Sequence, residues 1–126
     1  MTVKIVQRDD LGVVVVALVG ELDLDSAPIL RAVFSDLLDR GQFRIVVDAG
    51  ELGFCDSVGL SALLLSHRAC ATQGGFVRLA RVGAVLGNLL AMVGLAEVLA
   101  CYDTVAAAAR GDEGQRSAQP ARHRLS

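Results

Sequence analysis

Tryptophan is absent from this sequence, and aromatic residues make up only 4% of its 126 positions. Proteins that bind single-stranded nucleic acid without sequence preference usually stack the bases on aromatic side chains. The 12 lysine and arginine residues are outnumbered by 14 acidic ones, and no predicted element carries a basic stripe. Because neutralising phosphates requires clustered positive charge, the composition disfavours direct binding to nucleic acid.

Cysteine is scarce and odd in number. Cys55, Cys70 and Cys101 are far apart in the sequence, and each has apolar neighbours. This arrangement fits reduced, mostly buried thiols better than a disulfide framework or a zinc site. We therefore expect free cysteines and no bound metal.

Long apolar runs are also missing. The two longest candidates, residues 13–19 and 84–96, fall short of the roughly 18 residues that a membrane span needs, and Gly87, Asn88 and Gly94 interrupt the second. The first five residues enter a strand-like pattern without the charged and apolar regions of a signal peptide. We expect a soluble, cytoplasmic protein without membrane insertion.

The apolar content is nevertheless high enough for one packed domain. Hydrophobic residues make up 53% of the chain, and its two prolines and 13 glycines are too few for a fibrous or disordered protein. Hydrophobic periodicity predicts strands at 3–7, 13–19, 43–48, 76–82 and 98–102. Helices are predicted from Ser26, from Ser57, over 84–93 and after Thr104, and residues 20–25 are predicted to form a loop.

Strands that alternate with helices after an opening hairpin are typical of an α/β fold. We expect a single domain with a mixed central β-sheet and α-helices packed on it. The apolar pattern ends after Arg110. The chain therefore divides into a domain at 1–110 and a flexible C-terminal tail at 111–126.

The most informative segment is Phe54-Cys55-Asp56-Ser57-Val58-Gly59-Leu60, which spans the predicted end of a strand and start of the central helix. A serine at a helix start can accept a hydrogen bond from a first-turn amide and so cap the helix. The same amides and the helix dipole would also hold an added phosphate. The local pattern leaves open whether Ser57 is a cap, a phosphorylation site or both.

Three motifs follow one another along the chain. They are Gly20-Glu21-Leu22-Asp23, Asp56-Ser57-Val58-Gly59-Leu60 and Met92-Val93-Gly94-Leu95. In this order and spacing, over roughly residues 3 to 110, the chain resembles the STAS domain, and specifically the bacterial anti-sigma factor antagonists. Each motif is weak alone, and their order makes the resemblance specific.

The resemblance implies that Ser57 is the phosphoacceptor and that Asp56 shapes the acceptor site. It also implies that the loop with Glu21 and Asp23, together with Val58 and Gly59, contributes to partner binding. The implied partner is an anti-sigma factor that is also a serine kinase. This kinase binds the unphosphorylated antagonist, thereby releases its sigma factor, and silences the antagonist by phosphorylation. ATP and Mg²⁺ belong to the kinase, and no cofactor is implied for this chain.

Val58 departs from the family pattern, in which Ser or Thr usually follows the acceptor. If that second hydroxyl assists the kinase, Val58 weakens or redirects the regulation. An alternative therefore stays open, in which the chain is a STAS subunit of a larger assembly without a kinase switch. Such assemblies include lipid-transport complexes and stress-sensing scaffolds.

Catalysis by this chain is not expected. The Gly-x-Ser-x-Gly elbow of serine hydrolases and the Gly-Lys-Ser/Thr phosphate loop are both absent. His67 falls on the apolar stripe of its helix, where a packed, hydrogen-bonded histidine is the expected role. The two carboxylates of Asp23 and Asp25 lack an accompanying set of pocket residues. Gly59, in the first helical turn, indicates either close packing or room for a partner.

Overall fold

A computed structural model describes residues 1–116. Its strands are β1 (Thr2–Arg8), β2 (Val13–Leu22), β3 (Arg44–Cys55), β4 (Phe76–Ala80) and β5 (Cys101–Tyr102). Its helices are α1 (Ala27–Asp39), α2 (Ser57–Ala71), α3 (Ala84–Met92) and α4 (Val105–Arg110), followed by a short 3₁₀ turn at Glu113–Gln115. The strands form one sheet in the order β1-β2-β3-β4-β5, in which only the β1–β2 pair is antiparallel. The predicted α/β fold with a mixed sheet opened by a hairpin is confirmed.

Strand β2 is buried on both faces of the sheet, as its continuous apolar run predicts. Val14, Val16 and Leu18 belong to the main core, which also contains the buried apolar side chains of α1 and α2. Val13 and Val15 point to the other face, where they share a second cluster with the alanines of α4. Two hydrophobic layers therefore enclose the centre of the sheet.

Helix α1 begins at the predicted place. Ser26 is its N-cap residue, and a proline lies in its first turn. Leu30, Phe34 and Leu37 form the buried face of the helix. Ile29, an apolar residue of the same helix that periodicity alone would assign to its apolar stripe, is 47% exposed. Each helical residue is rotated by about 100° from the one before, so Ile29 lies beside the buried face that begins at Leu30.

Strands β2 and β3 extend further than predicted. The predicted loop at 20–25 begins as strand, because β2 continues to Leu22, and β3 continues past Asp48 to Cys55. The added part of β3 contains Gly50 and Gly53, which have low strand propensity. Its pairing with the end of β2 stabilises the extended conformation there. Local sequence does not predict this strand because its stabilising contacts come from another segment.

The last two predicted strands are shorter in the structure. Strand β4 ends at Ala80, and the following Arg81 has a φ of 56°, which is incompatible with a continuing strand. Of the predicted strand at 98–102, only Cys101–Tyr102 pairs with β4. The amides of Val98 and Leu99 both donate to the carbonyl of Leu95, so the preceding residues form turns instead.

Part of the predicted tail contacts the domain. Arg116 forms an antiparallel bridge with Tyr102, and its guanidinium lies 5.7 Å from the centre of the tyrosine ring. Residues 117–126 lie outside the described residues. The division of the chain at residue 110 stays a prediction.

The predicted thiols are confirmed, since Cys55, Cys70 and Cys101 are all buried and free. Over residues 1–116, no helix is both long and apolar enough to cross a membrane. In the same part of the chain, no group of three or more histidine, cysteine or acidic side chains is arranged to bind a metal.

Candidate phosphorylation and partner-binding site

Two of the three motifs meet at the carboxyl ends of neighbouring parallel strands. At the end of the β2–β3 ladder, Glu21 is paired with Phe54 and Leu22 with Cys55. The chain then continues into α1 from β2 and into α2 from β3. The crevice at the carboxyl ends of parallel strands is the usual place for functional residues in open α/β sheets.

Asp56 connects the two motifs. It has an extended backbone and is the N-cap residue of α2, where its Oδ1 accepts a 2.8 Å hydrogen bond from the amide of Gly59. Its Oδ2 accepts a 3.1 Å hydrogen bond from the amide of Leu24 in the β2–α1 loop. Its own amide donates to the carbonyl of Leu22 at 3.1 Å. Asp56 thereby shapes the site by bonding the loop to the start of the helix.

Ser57 is the first residue of α2 and is exposed. The interpretation of Ser57 as the helix cap is wrong, because the carboxylate of Asp56 occupies that role. Within the described chain, the Ser57 hydroxyl makes no hydrogen bond, and the amides of Ser57 and Val58 have no acceptor. Such first-turn amides, at the positive end of the helix dipole, favour a negatively charged group.

Gly59 is required by close packing. A Cβ atom at this position would lie 2.6 Å from both the carbonyl oxygen and the Cγ atom of Leu22. Because Gly59 is buried against the end of β2, the packing interpretation is confirmed over the one that reserves space for a partner. Val58 is half-buried and packs against the main core, so this departure from the family pattern places an apolar contact where a hydroxyl is usual.

Asp23 organises the β2–α1 loop from within. Its Oδ1 accepts hydrogen bonds from the amides of Ser26 and Asp25, at 3.0 and 3.1 Å, and lies 3.0 Å from the Ser26 hydroxyl. The Ser26 amide, and then its hydroxyl, lower the pKa of Asp23. The same hydroxyl accepts from the amide of Asp23 at 2.8 Å and lies 2.9 Å from the Glu21 carbonyl. The Asp23 carboxylate is therefore engaged inside the loop, whereas the Glu21 side chain is exposed.

Two exposed apolar side chains near the site escape prediction from sequence. Leu24, whose amide bonds Asp56, is 66% exposed, and Phe54, three residues before Ser57, is 44% exposed. The sequence contains a faint signal for them, since both are large apolar residues next to acidic or glycine-rich positions. Exposed apolar side chains beside a functional residue are candidates for partner contact.

The charged side chains of the two segments that form the site are all acidic, and the positive amino terminus of Met1 lies close enough to add to the effect of Ser26 in lowering the pKa of Asp23. Residues 19–30 and 49–66 contain no lysine or arginine, and their charged residues are Glu21, Asp23, Asp25, Glu51 and Asp56. An open groove of about 570 Å³ lies between the start of β1, the end of β2 and the start of α1, and three of these carboxylates line it. A positively charged partner surface would be complementary to this end of the molecule.

Cys55 and His67 are not arranged as reactive groups. Burial, and then the charge of Asp56, raise the pKa of the Cys55 thiol to about 11, so it is protonated at neutral pH. The Nδ1 atom of His67 accepts a 3.1 Å hydrogen bond from the amide of Val77 in β4. The predicted packed, hydrogen-bonded role of His67 is therefore confirmed.

Comparison with known proteins identifies the family. A family model described as "Mlab, STAS domain" matches residues 5–100. This chain belongs to the STAS domain family. An anti-sigma F factor antagonist from Paenibacillus polymyxa is 31% identical to this STAS domain over 104 residues, which are 82% of this chain and 89% of that protein. The resemblance to the anti-sigma factor antagonists of the family is confirmed.

Solved structures support the fold of this STAS domain. An anti-sigma factor antagonist from Mycobacterium paratuberculosis is 24% identical with a TM-score of 0.78, covering 87% of this chain and 92% of that chain. The Bacillus cell fate determinant SpoIIAA in its phosphorylated form is 21% identical with a TM-score of 0.65, covering 99% and 100% of the two chains.

Proposed function

We propose that this STAS domain is an anti-sigma factor antagonist that binds an anti-sigma factor with serine kinase activity. Binding releases the sigma factor, and phosphorylation at Ser57 prevents binding. The observation that carries the proposal is the exposed, unbonded Ser57 hydroxyl at the start of α2, in a chain related to a named anti-sigma F factor antagonist. The place of action is the cytoplasm, and DNA is affected only through the released sigma factor.

The proposed modification is a phosphoryl transfer in which this chain is the substrate. The Ser57 oxygen attacks the γ-phosphorus of ATP, which is bound with Mg²⁺ by the kinase. The new oxygen–phosphorus bond forms as the bond to the β,γ-bridging oxygen breaks, and ADP leaves. The proton of the Ser57 hydroxyl passes to a base of the kinase. The chain itself supplies no catalytic residue and no cofactor.

The phosphate acts on the interface through its charge. A phosphoserine carries about −1.5 to −2 charges at neutral pH. Here it would lie beside Asp56, at an end of the molecule where acidic side chains predominate. A docking penalty of about 4 kcal/mol would reduce affinity roughly a thousandfold. The free amides of Ser57 and Val58 favour the added charge locally, so the fold is retained.

The proposed partner-binding residues fall into two groups, those exposed for direct contact and those that shape the loop and the helix start. Ser57 and Glu21 are exposed and available for direct contact. Asp23, Asp56 and Gly59 act by shaping the loop and the helix start, through the hydrogen bonds and close packing described above. Exposed Leu24 extends the proposed contact surface.

Phosphate mapping tests the proposal. The purified chain and a Ser57→Ala control are incubated with a candidate anti-sigma kinase and ATP, and the phosphate is located by mass spectrometry. We expect one phosphate, on Ser57, and none on the control. In a binding assay with the same kinase, we expect Ser57→Asp to lose affinity roughly a thousandfold. An unmodified Ser57, or wild-type affinity of Ser57→Asp, would contradict the proposal.

Val58 favours a second candidate function. Its side chain packs against the core and offers no second hydroxyl beside the acceptor. A STAS subunit of a larger assembly, such as a lipid-transport complex or a stress-sensing scaffold, would need no kinase switch. Full function of Ser57→Ala in the cell, together with copurification with transporter or scaffold subunits, would favour this candidate over the antagonist.

A further inference from the structure

The part of β3 that leads to Ser57 is supported by a strand on one side only. The last β3–β4 pair joins Asp48 with Ala80, and residues 49–55, here named the β3 extension, pair with β2 alone. This pairing contains two irregularities, between Ala17 and Val19 and between Gly20 and Glu21 of β2. The β3 extension ends directly before Asp56. Its position therefore sets the position of the helix start that carries Ser57.

Arg81 contacts the β3 extension on the side that β4 leaves open. Its Nε and Nη2 donate to the two carboxylate oxygens of Asp48 at 2.9 and 3.0 Å. The amide of Gly50 donates to the same Asp48 carboxylate at 3.0 Å.

The Arg81 guanidinium also lies against Gly50, so closely that a Cβ atom there would be 2.4 Å from its Cζ atom. The Arg81 amide donates to the carbonyl of Tyr102 at 3.0 Å. Arg81 thus links Asp48, the residue directly before the β3 extension, to β5.

Stability alone does not explain the backbone conformation of Arg81. In the described part of the chain, Arg81 is the one residue other than glycine with a positive φ, and a left-handed backbone is unfavourable for an L side chain. The Arg81 side chain is 52% exposed and that of its partner Asp48 is 15% exposed, so solvent screens the ion pair on the arginine side and reduces its contribution to stability. An unfavourable backbone at the residue that covers the β3 extension points to a functional requirement.

We infer that Arg81 is a positioning residue for the Ser57 site. It orients the β3 extension by bonding Asp48 and covering Gly50, and thereby fixes where Asp56 and Ser57 meet the partner. The inference rests on the proposed function. It predicts that loss of Arg81 reduces recognition of the site much more than it reduces the stability of the fold.

Arg81→Gly is the most direct test. Glycine adopts a positive φ without strain, which offsets the lost ion pair, so the melting temperature should stay close to that of the wild type. Hydrogen exchange of the amides in the β3 extension should become faster. With the anti-sigma kinase, kcat/KM for Ser57 should fall about tenfold, mainly through KM. The matched control is Arg8→Ala, which removes a similar two-bond pair with Asp10 at the opposite end of the sheet. It should change neither the hydrogen exchange of the β3 extension nor kcat/KM for Ser57.

Gly50→Ala should remove the contact between Arg81 and the β3 extension by a different change. The added methyl group would displace the guanidinium from its place beside Gly50 and should produce the same loss of kcat/KM. Because both changes break one contact, Gly50→Ala added to Arg81→Gly should cause no further loss. Additive losses in the double variant would contradict a shared mechanism.

The outcomes separate this inference from the proposed function. If wild-type Ser57 is not phosphorylated, the proposed function fails, and hydrogen exchange still shows whether Arg81 orders the β3 extension. Unchanged exchange in Arg81→Gly would overturn the inference. Faster exchange with wild-type kcat/KM on a phosphorylated Ser57 would overturn it as well, because the ordering would then have no effect on the site.

Discussion

At the scale of single residues, the neighbours Asp56 and Ser57 have different roles at the candidate site. The Asp56 carboxylate accepts one hydrogen bond from α2 and one from the β2–α1 loop, whereas the Ser57 hydroxyl is exposed and unbonded. The residue that builds the site and the residue that is proposed to be modified are thus adjacent but distinct. A phosphate on Ser57 would leave the hydrogen bonds of Asp56 in place.

Paired substitutions at these two positions test this division. In Asp56→Asn, one carboxylate oxygen becomes an amide nitrogen that faces a donor, so we expect a loss of about 1–2 kcal/mol in the free energy of unfolding. Ser57→Ala removes no hydrogen bond and should change it by less than about 0.5 kcal/mol. Urea unfolding measures both. A larger loss for Ser57→Ala than for Asp56→Asn would contradict the assignment of Asp56 as the cap.

Two helical glycines give a second comparison at this scale. Gly59→Ala should destabilise the fold by about 1–3 kcal/mol, because the new Cβ would meet the backbone of Leu22. Gly87→Ala, inside α3, meets only Val82 at an ordinary 3.8 Å and should stabilise the fold by about 0.5–1 kcal/mol. The two melting temperatures should therefore shift in opposite directions. Shifts of the same sign would show that packing against β2 is not the reason for Gly59.

At the scale of secondary-structure elements, hydrogen bonds join α2 to neighbouring segments at two places. Its start is joined to the β2–α1 loop by Asp56, and its middle is joined to β4 by the hydrogen bond from the Val77 amide to His67. The bond at His67 requires an unprotonated Nδ1 atom. Burial most of all, and also the charges of Arg78 and Arg68, lower the pKa of His67.

This contact predicts a pH dependence of stability. The pKa of His67 is lower in the folded than in the unfolded state. Unprotonated His67 therefore makes its full contribution to the free energy of unfolding above the unfolded pKa of about 6.5. The contribution is lost as pH falls through the lower folded pKa. Urea unfolding from about pH 8 to pH 5 should therefore show decreasing stability, and His67→Gln should reduce the slope. An equal slope in both proteins would exclude His67 as the group responsible.

At the scale of the whole molecule, the proposed acceptor Ser57 lies on the surface of a domain whose two cores do not depend on it. Apart from Leu99, which lies in the turns before β5, the buried residues of both clusters lie on the sheet and the helices, and Ser57 belongs to neither cluster. Its surroundings combine acidic residues with exposed Leu24 and Phe54. Negative charge at Ser57 can thus change the surface without disturbing the fold.

Ser57→Asp tests this independence of surface and fold. We expect its circular dichroism spectrum and melting temperature to match those of the wild type, because an acidic residue is favourable in the first turn of a helix. Binding to the anti-sigma factor should collapse in the same preparation. A large drop in melting temperature would show that position 57 has a structural role instead.

Much of the fold could be predicted from local patterns. The alternation of strands and helices, the start of α1 near Ser26, the burial of the three cysteines and the packed role of His67 are confirmed by the structure. Each depends on hydrophobic periodicity or on residue preferences at turns and caps, which nearby residues express. The resemblance to the STAS family rests separately on the order of three motifs and not on periodicity.

Other features depend on contacts between segments distant in sequence. The β3 extension contains Gly50 and Gly53 and is a strand because β2 pairs with it. Whether Asp56 or Ser57 caps α2 depends on the extended backbone of Asp56, which its bonds to Leu22 and Leu24 stabilise. The contact of Arg81 with Gly50 joins residues that are distant in the sequence, and hydrophobic periodicity does not predict it. Local preferences encode the type of each element, whereas packing between elements places the few atoms that form the site.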